Sequence, residues 1–514
     1  MFKNISDQKN KLFLFLIFFI YTLFVWKFWF VCDDAFISFR YSKNLSLGEG
    51  LRYNLGVNPP VEGYSNFLWV LLGALILKIG LSIELVLPIL SYFSGVIFLY
   101  LVHRLLTKNL KIDFWVATAG TLLLATYAPF VVWSTSGLAT VPFALLFFSI
   151  YYILFFREKI FIAGLLGILL ALLRAEGLIW AIFLHTVAFI FRPNLRKSFI
   201  KSVLFVLAVY SCYLSWRYSY YHSLVPNTVA NKVGFGLEIL LRGLRYASLY
   251  VLTFLTPLAI PLGLLFILKD KRKIFWPIFL ITGATICYPI LVGGDFMAMG
   301  RFFAPSFAFQ AIILTFLLSW VAKYSKNMSL FTFVFFLVLN ILPSYNLHLV
   351  PESVRSKLHF RLNTDEFKSE YEQWQYMKFN SERWGHLGRA LKNISSPGES
   401  LVAGAIGNVG YYSDLYIYDR FGLVEPRVAK LKDRKIKKKS PGHDKSVSEK
   451  FFIPDKPTYL KAYLFKLPQM ERRLEKSLKS WSKISPDYQA IYYPLEIKDS
   501  KRSELGMLVL KRKE

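Results

Sequence analysis

The stretch Lys11-Leu-Phe-Leu-Phe-Leu-Ile-Phe-Phe-Ile-Tyr-Thr-Leu-Phe-Val-Trp-Lys27-Phe-Trp-Phe-Val-Cys-Asp33-Asp34 decides the fold class. Residues 12–31 hold a single charge, Lys27. An apolar helix of about 20 residues crosses a hydrocarbon layer of about 30 Å, because each residue rises about 1.5 Å. No small-residue cleavage site follows, so the run reads as a retained helix and not as a cleaved signal. At Asp33-Asp34 the chain leaves apolar surroundings abruptly.

Further apolar runs occupy 84–105, 114–131, 141–156, 160–173, 177–192, 198–216, 248–268, 274–292, 302–322 and 328–345. With the first run they predict a polytopic α-helical membrane protein of about eleven transmembrane helices. The segment Asn66–Gly80 is apolar for too short a distance before Lys78 and is read as re-entrant or interfacial. Composition agrees. Of 514 residues, 55% are hydrophobic and only 18% charged, against about a quarter in soluble domains. The 48 phenylalanines suit lipid-facing helices. The net charge of +29 sits between apolar runs, where topology signals lie, so no nucleic-acid partner is expected. Cys32, Cys212 and Cys287 lie in or beside apolar segments, with neither metal-ligand spacing nor a disulfide framework.

The positive-inside rule orients the chain. With a cytoplasmic N-terminus, the inner loops carry Lys3/Lys9/Lys11, Arg104/Lys108/Lys111, Arg157/Lys159, Arg192/Arg196/Lys197/Lys201, Lys269/Lys271/Arg272/Lys273 and Lys323/Lys326. The outer loops carry Asp33-Asp34, Glu62, Trp133–Thr140, Pro226–Lys232 and Gly293–Arg301. The chemistry-bearing residues are therefore expected on one face of an inner (cell) membrane. Residues 1–345 form the membrane domain, with a first outer loop at 32–83. Residues 346–514 form an extracytoplasmic soluble domain of α/β or α+β type, with strand-like runs at Ser400–Ala405, Thr458–Phe465, Tyr488–Tyr493 and Leu505–Leu510. Helical stretches are expected at Thr364–Lys392 and Leu467–Trp481. The basic stretch Arg427–Lys450 reads as a loop, either a solvated charge run or a contact for anionic lipid or glycan.

Adjacent carboxylates at a membrane surface suggest that burial raises at least one pKa, and such a group can take a proton from an attacking hydroxyl. The alternative is that Asp33 and Asp34 merely start an interfacial helix. Arg174 with Glu176, and Arg301 with Asp295, are either functional charges or structural ion pairs and helix caps. Lys232 is otherwise an ordinary loop lysine, and His185 a packing histidine. Tyr64, Trp69 and Trp133 stack on sugars or belong to the interfacial aromatic belt.

The order of these motifs resembles a bacterial branch of GT-C glycosyltransferases that includes the terminal arabinofuranosyltransferases of actinobacterial cell walls. The likeness lies in Asp33-Asp34-Ala-Phe-Ile-Ser-Phe-Arg-Tyr, Gly48-Glu-Gly-Leu-Arg-Tyr-Asn54 and Val61-Glu62-Gly63-Tyr64-Ser-Asn66-Phe-Leu-Trp69. It continues in Trp133-Ser-Thr-Ser-Gly137-Leu, Leu173-Arg174-Ala-Glu176-Gly177, Pro226-Asn227-Thr228-Val-Ala-Asn-Lys232 and Gly293-Gly294-Asp295-Phe-Met-Ala-Met-Gly300-Arg301. It reaches Asp419-Arg-Phe-Gly422-Leu-Val and Pro441-Gly442-His443. The chain departs from the family at Ala139, where Glu is usual, and at Ala175 and Ala298, where Pro is usual.

The resemblance implies transfer of a sugar, a pentofuranose such as arabinose in that family, from a polyprenyl-phosphate donor. The acceptor would be a cell-envelope glycan, lipid or protein on the outer side. Phosphate is a good leaving group, so one base, cations for the phosphate and a held geometry suffice, with no metal and no cofactor. The implied base is Asp33 or Asp34, with Asp33 favoured. Donor phosphate falls to Arg174, Lys232 and Arg301, and sugar or acceptor to Glu62, Tyr64, Trp69, Glu176, Asn227 and Asp295. The alternative from another class is a multi-pass transporter or lipid flippase, which should show midplane ionisable groups and internal repeats. A non-catalytic glycan-binding membrane protein is a third.

Overall fold

The computed structural model describes residues 2–228, 236–263, 275–361, 366–431, 440–442, 445–466, 474–498 and 504–513. Each of the eleven apolar runs contains helix, but eleven spans are not what these helices make. Among the described residues six are long and apolar enough to cross a membrane: Asn10–Lys27, Ile83–Asn109, Thr140–Arg157, Pro193–Tyr221, Arg301–Tyr324 and Lys326–Tyr345. A seventh counts only if Leu237–Phe254 and Thr256–Gly263, bent by 100°, form one broken span.

The remaining runs end early for local reasons. The run expected at 114–131 stops at Ala125, because Tyr127 is extended and Pro129 sits in the first turn of a separate short helix, Ala128–Val132. Runs 160–173 and 177–192 become helices of 14 and 15 residues, separated where Arg174 adopts an extended backbone. Such helices rise only about 21–23 Å, short of the hydrocarbon thickness. The bend near 255 has Leu255 at φ 55° followed by Pro257. Phe67–Lys78, twelve residues, is likewise too short to span.

Packing divides the chain into two compact units. The first holds Met1–Phe30, Glu84–Trp216 and Gly234–Gln375. Its centre is the Arg301–Tyr324 helix, 89% of whose apolar window is buried, whereas the first helix keeps 17% buried and turns most of its surface outward. Without a water-driven hydrophobic effect between membrane helices, close backbone approach holds them. A Cβ on Gly120 would lie 1.8 Å from Thr315 Oγ1, and one on Gly243 would lie 2.0 Å from the Ile290 carbonyl oxygen.

The second unit holds Val31–Ile83, Arg217–Val233 and Tyr376–Glu514. The stretch expected as a first outer loop thus packs with the tail. It forms two helices, Asp33–Ser46 and Phe67–Lys78, packed on each other. The tail contributes a five-stranded sheet of order β2-β1-β3-β5-β4, built from β1 (Ser400–Ala403), β2 (Tyr416–Asp419), β3 (Tyr459–Lys466), β4 (Tyr488–Lys498) and β5 (Glu504–Arg512). β1 pairs parallel with β2 and β3, while β5 runs antiparallel to β3 and β4. The four expected strands are present, and β2 is additional. Period-two alternation covers both faces. Met507 and Val509 join Leu401 and Ile417 in one core, whereas Leu508 and Leu510 join Val402, Phe452 and Trp481 in another.

Candidate functional site

The second unit contains a carboxylate site. Cys32 is extended, and the helix begins at Asp33, so Asp33 and Asp34 occupy its first turn about 100° apart around the axis. Asp33 Oδ1 accepts from the backbone N–H of Asn408 at 2.7 Å and from Asn408 Nδ2 at 3.2 Å. Its Oδ2 accepts from the Gly407 N–H at 3.2 Å. A carboxylate offers about four lone-pair directions, so one on Oδ2 remains. Burial pushes the Asp33 carboxyl up to about 6, with the Asn408 N–H opposing and the neighbouring Asp34 charge adding to the rise. Asp34 accepts no hydrogen bond and forms no ion pair among the described residues.

Two turns along the same helix, Arg40 faces the same way and is buried. It donates to the carbonyls of Tyr53 (2.8 Å), Gly410 (2.8 Å) and Leu415 (2.7 Å). One helix face therefore holds the 407–415 segment at both ends, by an anion on N–H groups and a cation on carbonyls. Position 407 admits only glycine, since a Cβ there would meet the Asp33 carbonyl oxygen at 1.9 Å. Asn408 Nδ2 also donates to Ser381 Oγ (2.9 Å), whose hydroxyl donates to the Val31 carbonyl (2.7 Å).

Several residues expected to meet sugar or acceptor are built into the frame of this unit. Glu62 is 3% exposed and paired with Arg217 at 3.0 Å, while burial pushes its carboxyl up to about 7 against the pull of that arginine. Its Oε2 has no partner among the described residues. The Tyr64 hydroxyl lies 3.1 Å from that of Tyr221, and Trp69 is buried. Asn227 Nδ2 ties to the carbonyls of Gly422 (2.7 Å) and Leu423 (2.9 Å). Lys232 and His443 lie outside the described residues.

The first unit contains an arginine cleft. Arg174 and Glu176 stand in the break between Ile160–Leu173 and Gly177–Phe191, with Nε 2.5 Å from Oε1. Arg301 forks onto Asp295, Nε to Oδ2 at 2.7 Å and Nη2 to Oδ1 at 3.1 Å. Both arginines line one narrow cleft with Thr140, Phe143, Glu176, Trp180, Tyr288 and Phe302, with a cavity of about 20 Å³ between the side chains. Arg301 stacks near Trp133 (5.5 Å) and Phe302 (5.1 Å), and Arg174 near Phe143 (5.6 Å). The terminal nitrogens of Arg174 have no hydrogen-bond partner among the described residues, and the buried hydroxyl of Thr140 has none either.

The loop Gly293–Arg301 is shaped by positive φ at Gly293, Gly294, Met299 and Gly300. Buried Arg361 donates to the Phe296 carbonyl (2.8 Å) and the Met297 carbonyl (3.1 Å). Arg361 also pairs with Glu370 at 2.8 Å, and Glu370 accepts from the Met299 N–H. Sequence reasoning singles out none of Arg40, Asn408, Arg361 and Glu370. His185 is satisfied by the Ala181 carbonyl and Ser202 and is a packing residue.

Residues 368–503 match a family described as a domain of unknown function (DUF8728). No curated protein matches the chain.

Proposed function

We propose that the protein is a membrane glycosyltransferase of GT-C type that moves a sugar from a polyprenyl-phosphate donor to a hydroxyl of a cell-envelope acceptor on the outer side. The observation that carries this reading is the arginine cleft. Two guanidinium groups, each held by its own carboxylate, share it with a buried hydroxyl that has no partner among the described residues, and unmet buried polar groups are costly without a ligand. A phosphate oxygen accepts from a guanidinium in a charge-assisted, planar geometry, and the aromatic wall suits the apolar part of a lipid-linked donor.

In the proposed reaction the acceptor hydroxyl attacks the anomeric carbon while the bond to the phosphate oxygen breaks. In the second unit Asp33 is the proposed acceptor of the hydroxyl proton, through the open direction on Oδ2, and in the first unit the arginines are the proposed partners of the departing lipid phosphate. No metal or cofactor enters the scheme. A second reading has one observation in its favour: three hydrogen bonds fix Asp33 to the 407–408 segment, as they would for a purely structural anchor. A transporter lacks any comparable support in the two sites.

The donor site is tested without stranding a buried charge. The paired change Arg174→Gln with Glu176→Gln should weaken binding of polyprenyl-phosphate sugars about 10–100-fold, the loss of one charge-assisted hydrogen bond of about 1.5–3 kcal/mol. Titration of a donor panel by tryptophan fluorescence reads this, and unchanged affinity removes Arg174 from the site.

Orientation is tested separately. In a background with Cys212 and Cys287 changed to Ser, both exposed in the parent, single cysteines are placed at exposed Ser446 and Lys108. An impermeant thiol reagent on intact cells should label position 446 and spare 108. The reverse pattern would put the tail inside.

A further inference from the structure

We propose that Asn408, carried with Gly407 and Ser381 by the domain matched at 368–503, is the positioning residue of the Asp33 carboxylate, so that this domain completes the acid–base group. The proposal rests on the reading of Asp33 as the base.

The contacts form one connected chain. The Ser381 hydroxyl is anchored on the Val31 carbonyl, two residues before Asp33. Asn408 Nδ2 spans Ser381 Oγ and Asp33 Oδ1, and the backbone of Asn408 donates to that same oxygen. Asn408 is 2% exposed and Ser381 4%, so neither contact competes with water. Both oxygens of Asp33 are thereby fixed in direction, Oδ1 fully occupied and Oδ2 left with one open lone pair. A base is productive only when such an orienting partner sets its angle.

The glycines make the arrangement specific. Besides Gly407 against Asp33, a Cβ on Gly388 would lie 3.0 Å from the Asn408 carbonyl oxygen and one on Gly385 would lie 3.3 Å from Asn408 Oδ1. The Glu370–Ile394 helix thus lets the 407–413 segment approach closely enough for the amide to reach Asp33.

Charged and titratable groups around the carboxylate are few. Asp34 is its neighbour on the helix. Tyr53 feels the charges of Arg40, Asp419 and Asp33 and donates its hydroxyl to the Ile406 carbonyl. Tyr411 and Tyr412 follow on the 407–413 segment, where Arg389 stacks over Tyr412. Lys378 and Glu382 flank Ser381 in sequence. None of these groups donates to Asp33, whose donors among the described residues are Asn408 and Gly407.

The sign of the effect follows from burial. Asp33 titrates above its usual value of 3.8, so the folded protein holds this proton more tightly than the unfolded chain. The stability it adds is complete below about 3.8 and is lost as pH rises through about 6. Donated hydrogen bonds favour the charged form, so removing the Asn408 amide should raise that midpoint further.

The experiment compares melting temperatures of the full chain in detergent against pH. The difference between the parent and Asp33→Asn isolates the Asp33 titration, and the same difference is taken in Asn408→Ala and Asn408→Asp backgrounds. The midpoint should move up by about one pH unit in Asn408→Ala and further in Asn408→Asp, where a second carboxylate replaces a donor. The acid limb of the transfer rate should move with it. An unmoved melting midpoint in both backgrounds overturns the proposal. A midpoint that moves while the transfer profile stays put leaves Asn408 holding Asp33 but removes Asp33 as the base, which overturns the functional reading instead. If Asn408→Ala does not fold, Ser381→Ala, which releases the amide from its anchor, gives the same comparison.

Discussion

Asp33→Asn should lower the rate of sugar transfer by about 10²–10⁴-fold, the contribution of a positioned general base. The amide keeps the shape of the side chain but cannot take the acceptor proton. It also meets its surroundings differently. The one oxygen left on that side chain can still accept from the Asn408 N–H, but the new NH₂ would then face the Gly407 N–H, donor against donor. A modest fall in stability, on the order of 1–3 kcal/mol, should accompany the lost activity. Asp34→Asn is the matched control. It removes an equal charge next door without touching a hydrogen bond, and transfer should stay within a few-fold of the parent. The parent rate should fall as pH drops through about 6, where Asp33 becomes protonated. A stopped assay with a radiolabelled polyprenyl-phosphate sugar reads all of this. Greater damage from Asp34→Asn would reverse the roles of the two carboxylates, and parental rates in both variants would end the proposed mechanism.

How far the sequence was legible depends on how local each signal is. The apolar runs were readable because hydrophobicity marks helices whatever surrounds them. Their number as spans was not, because a run of adequate composition can be cut by one extended residue. Tyr127 before Pro129, Arg174 and Leu255 each shorten or bend a helix that composition alone would let continue. Four tail strands followed from runs rich in Tyr, Leu and Val, whereas β2 is four residues long and lies next to turn chemistry at Asp419–Gly422. The assignment of 31–83 to the tail unit had no local sign, since it arises from contacts such as Arg40 with Gly410 and Leu415.

The same division separates the site residues. Arg174–Glu176 and Asp295…Arg301 are neighbours in sequence, so their pairing could be anticipated as one of two open readings. Asp33 could be singled out, but not the amide that holds it, which is 375 positions away. Glu62 is another case in which the partner is distant in sequence. Nothing in its Gly/Tyr-rich stretch indicates that it is buried and paired with Arg217, 155 positions away. Buried ion pairs between distant residues are invisible to spacing and charge runs alike, because each partner alone looks like a surface charge.

Arg361 and Glu370 are the clearest case, and breaking them should be the largest structural lesion in the first unit. Both are buried, at 3% and 4% exposure, 2.8 Å apart. Removing one partner strands the other charge away from water, so Glu370→Gln and Arg361→Met should each cost about 3–5 kcal/mol. Replacing both at once with apolar groups of similar volume, Arg361→Met with Glu370→Leu, strands nothing and should restore most of that stability. The double variant separates holding the fold from holding the loop. It still lacks the donors to the Phe296 and Met297 carbonyls and the acceptor for the Met299 N–H. Those three contacts fix the backbone between Asp295 and Arg301, so a stable double variant should bind the polyprenyl-phosphate donor at least about 10-fold more weakly, one lost contact's worth of about 1.4 kcal/mol. Chemical denaturation and donor titration on the parent and the three variants measure the two effects independently. Parental donor affinity in the stable double variant would mean that the loop keeps its shape without the pair, and Arg361 and Glu370 would then serve the fold alone.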